Sequence, residues 1–296
     1  MKPKPAATTP TKPVTTPSPK TRIIFPLVGG PVQYHNDFGE PRPIGHEEGD
    51  DIMTPRHTPV VAAEAGTVKF WTDSGAGCML YLSGKGGTEY EYLHMNNDVS
   101  KNPNVDDNKG KCKAGGSYAP GLKDGQKVAA GQLIGFSGDS GNADGIPHLE
   151  FQLHPHGGNP VSPYKWLIRG YHLLFPKLPG KTFTISANAT VVSTTLADDA
   201  ASATLKIMVK NLHAWPGGYP IRSVNRNITL TVEDTDSIQL LRPGPSPAAV
   251  TVSLERLMAA KKGTALTVTT SPAAANLDAE LGRGLFDAAT VVLKPS

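Results

Sequence analysis

Hydrophobic positions along this chain alternate with polar ones far more often than they recur at a helical spacing. Between residues 21 and 165, "TRIIFPLVG" is a short apolar run that stops at glycine. "TPVVAAEAGTVKFWTD", "CMLYLSG", "TEYEYLHM", "QKVAAGQLIGFSG" and "PHLEFQLHP" follow it. Each is of strand length and is bounded by Gly, Pro, Asp or Asn. No long pattern of period 3.6 interrupts them, so the spacing predicts an antiparallel β domain with glycine-rich turns. Asn96 to Gly121 departs from the pattern as one long polar loop. In a compact domain a loop of that length is usually functional or mobile.

"HLLFPKLPGK", residues 172–181, reads as a hinge. Beyond it the chain turns β-branched again in "TFTISANATVVSTT", "ATLKIMVKNL", "RNITLTVEDTDSIQL" and "GTALTVTTSP", with one short helical segment, "VSLERLMAAKK". Strands of this number and length predict a small barrel or sandwich, with an OB-like barrel among the options. The all-β chain thus divides into a Pro/Thr-rich spacer (1–21), a first β domain (22–170), a hinge (171–181) and a small β domain (182–296).

The strand "PHLEFQLHP" carries the densest chemistry. Alternate residues of a strand share a face, ~6.6 Å apart. His148, Glu150, Gln152 and His154 therefore point the same way. The row reads as a metal site, an acid–base pair or the polar face of a surface strand.

Charge and cysteine content narrow the partners. The 296 residues carry a formal charge of +3 with no basic block, so nucleic acid is not the expected partner. No apolar run approaches the roughly 20 residues needed to cross a bilayer. The first twenty residues, "MKPKPAATTPTKPVTTPSPK", lack the apolar core of a signal peptide and read as an extended spacer of the kind that follows a removed signal or an anchor. Two cysteines, Cys78 and Cys112, are too few for a disulfide framework and wrongly spaced for a zinc knuckle. They form either one disulfide, pinning the long loop to the sheet in an oxidising compartment, or two free thiols.

Several motifs in order make the first domain similar to a known family. "DFGEPR", "GHEEGDDIMTP", "TPVVAAEAGTV", "YLHMNND", "GQKVAAGQLIGFSGDSGNA" and "PHLEF" together resemble the lysostaphin-like zinc metallopeptidases over residues 22–167. The resemblance implies an antiparallel β groove walled by loops, one zinc ion, and hydrolysis of peptide cross-links in bacterial peptidoglycan. It implies peptidoglycan peptide stems or bridges as the substrate and an extracellular or wall-associated location. A protein partner for the C-terminal domain stays open.

In that family a His-x-x-x-Asp motif supplies two zinc ligands, and a His-x-His motif supplies a catalytic histidine and the third ligand. Carried over, His46 is the first ligand, Asp50 or Asp51 the second, and His94 and His148 the catalytic pair. Two departures stand out. "HEEGDD" reads as holding one extra residue, so either aspartate reaches the metal. Glu150 stands where the family has its third histidine. A carboxylate ligates zinc at about 2.0–2.2 Å, but the added negative charge weakens Lewis acidity and shifts preference toward manganese. The alternative is a catalytically degenerate module with no bound metal, which binds the wall or activates another hydrolase.

Overall fold

The computed structural model describes residues 22–29, 31–43, 45–173, 176–179, 182–215, 219–221, 226–242, 248–271, 273–274 and 285–294. The spacer expected over residues 1–21 lies outside them.

The first domain contains β1 (Gly49–Met53), β2 (Pro59–Val61), β3 (Gly66–Asp73), β4 (Gly77–Gly84), β5 (Thr88–Met95), β6 (Lys127–Val128), β7 (Leu133–Phe136), β8 (His148–Pro155) and a single helical turn, α1 (Tyr164–Leu167). Six strands form one antiparallel sheet in the order β1-β8-β5-β4-β3-β6, and β2 pairs with β7 beside it. The alternation seen in the sequence sets the two faces. In β8, Leu149, Phe151 and Leu153 are almost fully buried and join Ile52, Leu80, Leu82 and Tyr92 in the core. Each such side chain contributes roughly 1.5–3 kcal/mol on burial. The intervening His148, Glu150, Gln152 and His154 share the opposite face. The antiparallel groove architecture expected for this domain is what the chain forms.

Two devices hold the long loop after β5. Cys78 on β4 is bonded to Cys112. The Tyr118 ring stacks on Phe70, with centroids 3.8 Å apart, and its hydroxyl lies 3.0 Å from the carbonyl oxygens of both Trp71 and Met79.

The segment read as a hinge is tied to the first domain where it is described. Tyr171 N–H donates to Ile23 O, Phe25 N–H to Tyr171 O, Lys177 N–H to Gly131 O and Leu133 N–H to Lys177 O. Leu173 also joins Ile24, Val28 and Val61 in an apolar cluster continuous with the C-terminal core.

The C-terminal domain comprises β9 (Thr182–Leu196), β10 (Ser202–Trp215), β11 (Tyr219–Ile221), β12 (Arg226–Glu233), β13 (Ser237–Arg242), β14 (Ala248–Thr251), α2 (Leu254–Met258), β15 (Ala265–Thr270), β16 (Ala273–Ala274) and β17 (Leu285–Leu293). The order β10-β12-β17-β15-β9 closes through the β9–β10 pairing, so five strands make a small barrel. β12 and β17 run parallel, and the other ring pairings are antiparallel. Leu205, Ile207 and Val209 of β10 point inward with Ile228, Leu230 and Val232 of β12.

Candidate functional site

The polar face of the six-stranded sheet gathers the titratable groups. β1 lies antiparallel to β8 with Asp51 opposite Glu150 and Gly49 opposite Gln152. Gly49 makes that approach possible, since a Cβ there would stand 2.7 Å from Phe151 O and 3.0 Å from the Gln152 side chain. With Glu47 two residues before the strand begins, the carboxylates of Glu47, Asp51 and Glu150 converge, their nearest oxygens within 4.8 Å of one another.

His94 and His148 stand beside this cluster, ring centroids 4.9 Å apart. His94 is buried and sits at a left-handed φ of 56°, next to a register shift between β4 and β5. For a residue other than glycine such a backbone costs of order 1–3 kcal/mol and recurs at functional sites. It aims the ring so that Nδ1 donates to Ser140 O at 2.8 Å and Nε2 to Glu150 Oε2 at 3.0 Å. Both nitrogens face acceptors, which favours the imidazolium. Burial works against that charge, but the Glu150 hydrogen bond and charge and the Ser140 carbonyl outweigh it and raise the His94 pKa. Glu150 responds in the opposite sense. Burial pushes its pKa up, yet hydrogen bonds from His94 and Gln152 bring it below the usual glutamate range. The hydrogen bond between them favours the charged form of each.

His148 differs. Burial and the neighbouring His94 lower its pKa, its Nδ1 donates to Ile146 O at 2.7 Å, and its Nε2 stands 3.4 Å from Asp51 Oδ1. That last contact is close but falls outside hydrogen-bond geometry, leaving Asp51 Oδ1 buried without a partner.

The remaining carboxylates share one arginine. Arg42 Nε donates to Glu47 Oε2 at 2.8 Å, and its Nη2 donates to Asp51 Oδ2 at 3.1 Å and to Asp37 Oδ2 at 3.4 Å. Even so, burial and mutual repulsion with Glu47 and Glu150 raise Asp51 to about 7, and burial with the Glu150 charge raises Glu47.

Along β8 the polar row closes on itself. Gln152 Nε2 donates to Glu150 Oε1 at 2.6 Å, and His154 Nε2 lies 3.0 Å from Gln152 Oε1 and 3.3 Å from Glu91 Oε1. Each of the two oxygens of Glu150 therefore has a protein partner.

The arrangement differs from the expected ligand set at two positions. His46 is exposed, pairs with Pro41 in an isolated bridge, and enters no cluster of three ligand types among the described residues. Asp50, one residue from Asp51 on β1, takes the opposite face. It is fully buried, and neither of its oxygens has a hydrogen-bond partner. Burial and the nearby Asp37 charge push it up to about 8. Glu47 and Arg42 were not singled out by sequence reasoning. A signal for Glu47 was present: counting four residues back from Asp51, which opens "DIMTP", lands on Glu47, with no extra residue required.

Read in this register, Glu47-x-x-x-Asp51 and His148-x-Glu150 occupy the family's two motifs with both ligand histidines replaced by glutamate. Three oxygen donors fit zinc poorly, since catalytic zinc sites draw on histidine or cysteine for most of their ligands. The donor set suits harder ions such as manganese, magnesium or calcium. Any dication there would also meet the Arg42 guanidinium, at ~4 kcal/mol per pair of unit charges near 4 Å in a partly screened site.

Comparison with known proteins places the first domain. Residues 45–117 match the model described as Peptidase family M23, so the lysostaphin-like resemblance of this region stands. The chain is 28% identical over 163 residues to an uncharacterized metalloprotease of Haemophilus influenzae, covering 54% of this chain and 26% of that protein. The match thus spans about a quarter of that relative's length. Among solved structures, the catalytic domain of the antimicrobial peptidase lysostaphin from Staphylococcus simulans is 26% identical, covers 46% of this chain and 92% of that one, and superposes with a TM-score of 0.35. A zinc-containing peptidase from Vibrio cholerae is 21% identical over 48% of this chain and 39% of that one, with a TM-score of 0.34. These scores are too low to carry an argument beyond the sequence match. No helix among the described residues is long and apolar enough to cross a membrane.

Proposed function

We propose that the first domain is a catalytically degenerate M23-type groove that binds peptide stems or bridges of bacterial peptidoglycan without cutting them. One observation carries this reading: the motif positions that should supply nitrogen ligands hold Glu47 and Glu150, and Arg42 and His94 already occupy oxygens of these carboxylates. His94, a candidate catalytic residue by resemblance, has both ring nitrogens engaged, Nδ1 by Ser140 O and Nε2 by Glu150 Oε2. The wall as target follows from the resemblance. The Cys78–Cys112 bond supports an extracellular or wall-associated location, since such bonds persist in oxidising compartments.

The test is sedimentation of the protein with purified peptidoglycan, with and without a chelator, while newly exposed amino groups are counted. The reading expects co-sedimentation that the chelator leaves unchanged and no new amino groups. New amino groups that vanish with the chelator would overturn it.

A metal-dependent endopeptidase is the second reading. It is favoured by the close approach of the three carboxylates and by the presence of both His94 and His148. On that reading Glu47, Asp51 and Glu150 would hold a divalent ion, which would supply Lewis acidity toward a peptide carbonyl. The amino-group count separates the two readings directly.

A further inference from the structure

We propose that Arg42 is the resident cation of the carboxylate cluster and replaces a divalent ion there; the proposal rests on the non-catalytic reading above. The guanidinium spans two of the three clustered carboxylates, at 2.8 Å from Glu47 and 3.1 Å from Asp51, and the third, Glu150, is hydrogen-bonded by His94 at 3.0 Å. Arginine is suited to this because its planar fork donates to two carboxylates at once.

The local fold delivers Arg42 to this position. Gly39 N–H donates to Glu47 O and Glu47 N–H to Glu40 O, both at 2.8 Å, and Arg42 N–H donates to Gly45 O at 3.2 Å. These bonds draw residues 39–43 and 45–47 together, so the arginine and its first partner arrive together. Behind them the buried Asp37 accepts the backbone N–H of Asp51 at 3.3 Å and the Arg42 Nη2 at 3.4 Å, tying the loop to the start of β1. Glu40 adds an outer contact to Nη1 at 3.7 Å.

Removing the guanidinium would leave three carboxylates with ligand oxygens within 4.8 Å of one another. An oxygen-only set of that kind suits manganese or calcium. The whole protein, wild type and variant, is titrated calorimetrically and melted with manganese(II) alone and with calcium alone. Wild type is expected to give no saturable heat and an unchanged melting temperature. Arg42→Ala, and Arg42→Gln as the longer uncharged replacement, are expected to melt lower and to regain stability as manganese(II) is added, the gain rising with the logarithm of its concentration. Adding Glu47→Gln to either variant should abolish the recovery.

Saturable manganese or calcium binding by wild type overturns the proposal, as does a folded Arg42 variant that neither loses stability nor responds to either ion. Should neither variant fold, the wild-type titration decides alone. The wall-sedimentation result is scored separately. Protein that ignores both ions but fails to sediment loses the wall-binding function and keeps Arg42 as its cation. Protein that sediments and binds manganese keeps the function and loses the Arg42 assignment.

Discussion

Two arginines in the first domain each gather a cluster of carboxylates. Arg56 reaches Asp139 and Asp106, residues 83 and 50 positions away, with Asp98 at 3.6 Å, and its side chain is only 10% exposed. Arg42 draws Glu47 and Asp51 from within nine positions, and its side chain is 32% exposed. In each case three carboxylates place ligand oxygens within 4.8 Å of one another: Asp106, Asp139 and Asp144 beside Arg56, and Glu47, Asp51 and Glu150 beside Arg42. The chemistry is alike and the context differs. Arg56 ties distant loops to one another. Arg42 stands on the groove face, where its partner Asp51 also meets His148 at 3.4 Å and the neighbouring Glu150 is hydrogen-bonded by His94. Acidic crowding alone therefore does not mark a metal site here; what separates the two is what surrounds the crowd.

The contrast can be broken experimentally, beginning with the larger effect. Arg56→Ala leaves Asp98 and Asp139 buried without their cation, and breaking a buried pair from one side costs ~3–5 kcal/mol. Chemical denaturation should report that loss without any change in wall binding. The Cys78→Ser/Cys112→Ser pair opens a covalent loop of 34 residues' separation, which costs about 3–4 kcal/mol by chain entropy. The melting temperature of the oxidised wild type should exceed that of the variant, and the reductant-treated wild type should match it.

A pH series sharpens the Arg42 side of the comparison. Asp50 at about 8, Asp51 at about 7 and the raised His94 all bind protons in the folded state that the unfolded chain has released. The folded form then holds more protons, so stability falls as pH rises above the unfolded aspartate value near 4 and levels off once pH passes about 8, where the folded Asp50 has ionised. His148, whose pKa is lowered, acts in the opposite sense only up to its unfolded value near 6.5, and Glu150 only in acid. Asp50→Asn should therefore stabilise the domain by about 1–3 kcal/mol at pH 8 and flatten the profile. An unchanged slope would show that Asp50 is not the group responsible. The smallest expected effect is that of Gln152→Ala, about 1 kcal/mol, from the loss of its hydrogen bond to Glu150. It should also weaken the hold on Glu150, seen as a shift in the His94 imidazole titration by NMR.

Most of the fold was legible because alternation survives in a sheet with one dry face. Leu149, Phe151 and Leu153 reveal β8 and its inner face, and the same period in β10 and β12 marks the barrel. The shared direction of His148, Glu150, Gln152 and His154 followed from that period. Its meaning did not, because hydrogen bonding across strands turned the row into a closed network that no linear spacing shows. A histidine in "HEEGDD" draws attention as a ligand, while the strand pairing of Asp51 with Glu150 brings Glu47 into the carboxylate cluster and His46 enters no such cluster among the described residues. Arg42 was invisible for a related reason, since only the folding of residues 39–43 against 45–47 turns it toward Asp51. The packing of residues 171–173 and 176–178 against the first domain depended on bonds to residues 23–25 and 131–133, too distant in sequence to anticipate.

The most direct test of the central claim is the metal content of the full protein, measured by mass spectrometry after equilibration with equimolar zinc and manganese and removal of free ions. The account predicts content far below one ion per chain, with the groove still able to sediment with peptidoglycan. One tightly held ion per chain, lost on Glu47→Gln or Glu150→Gln, would contradict it.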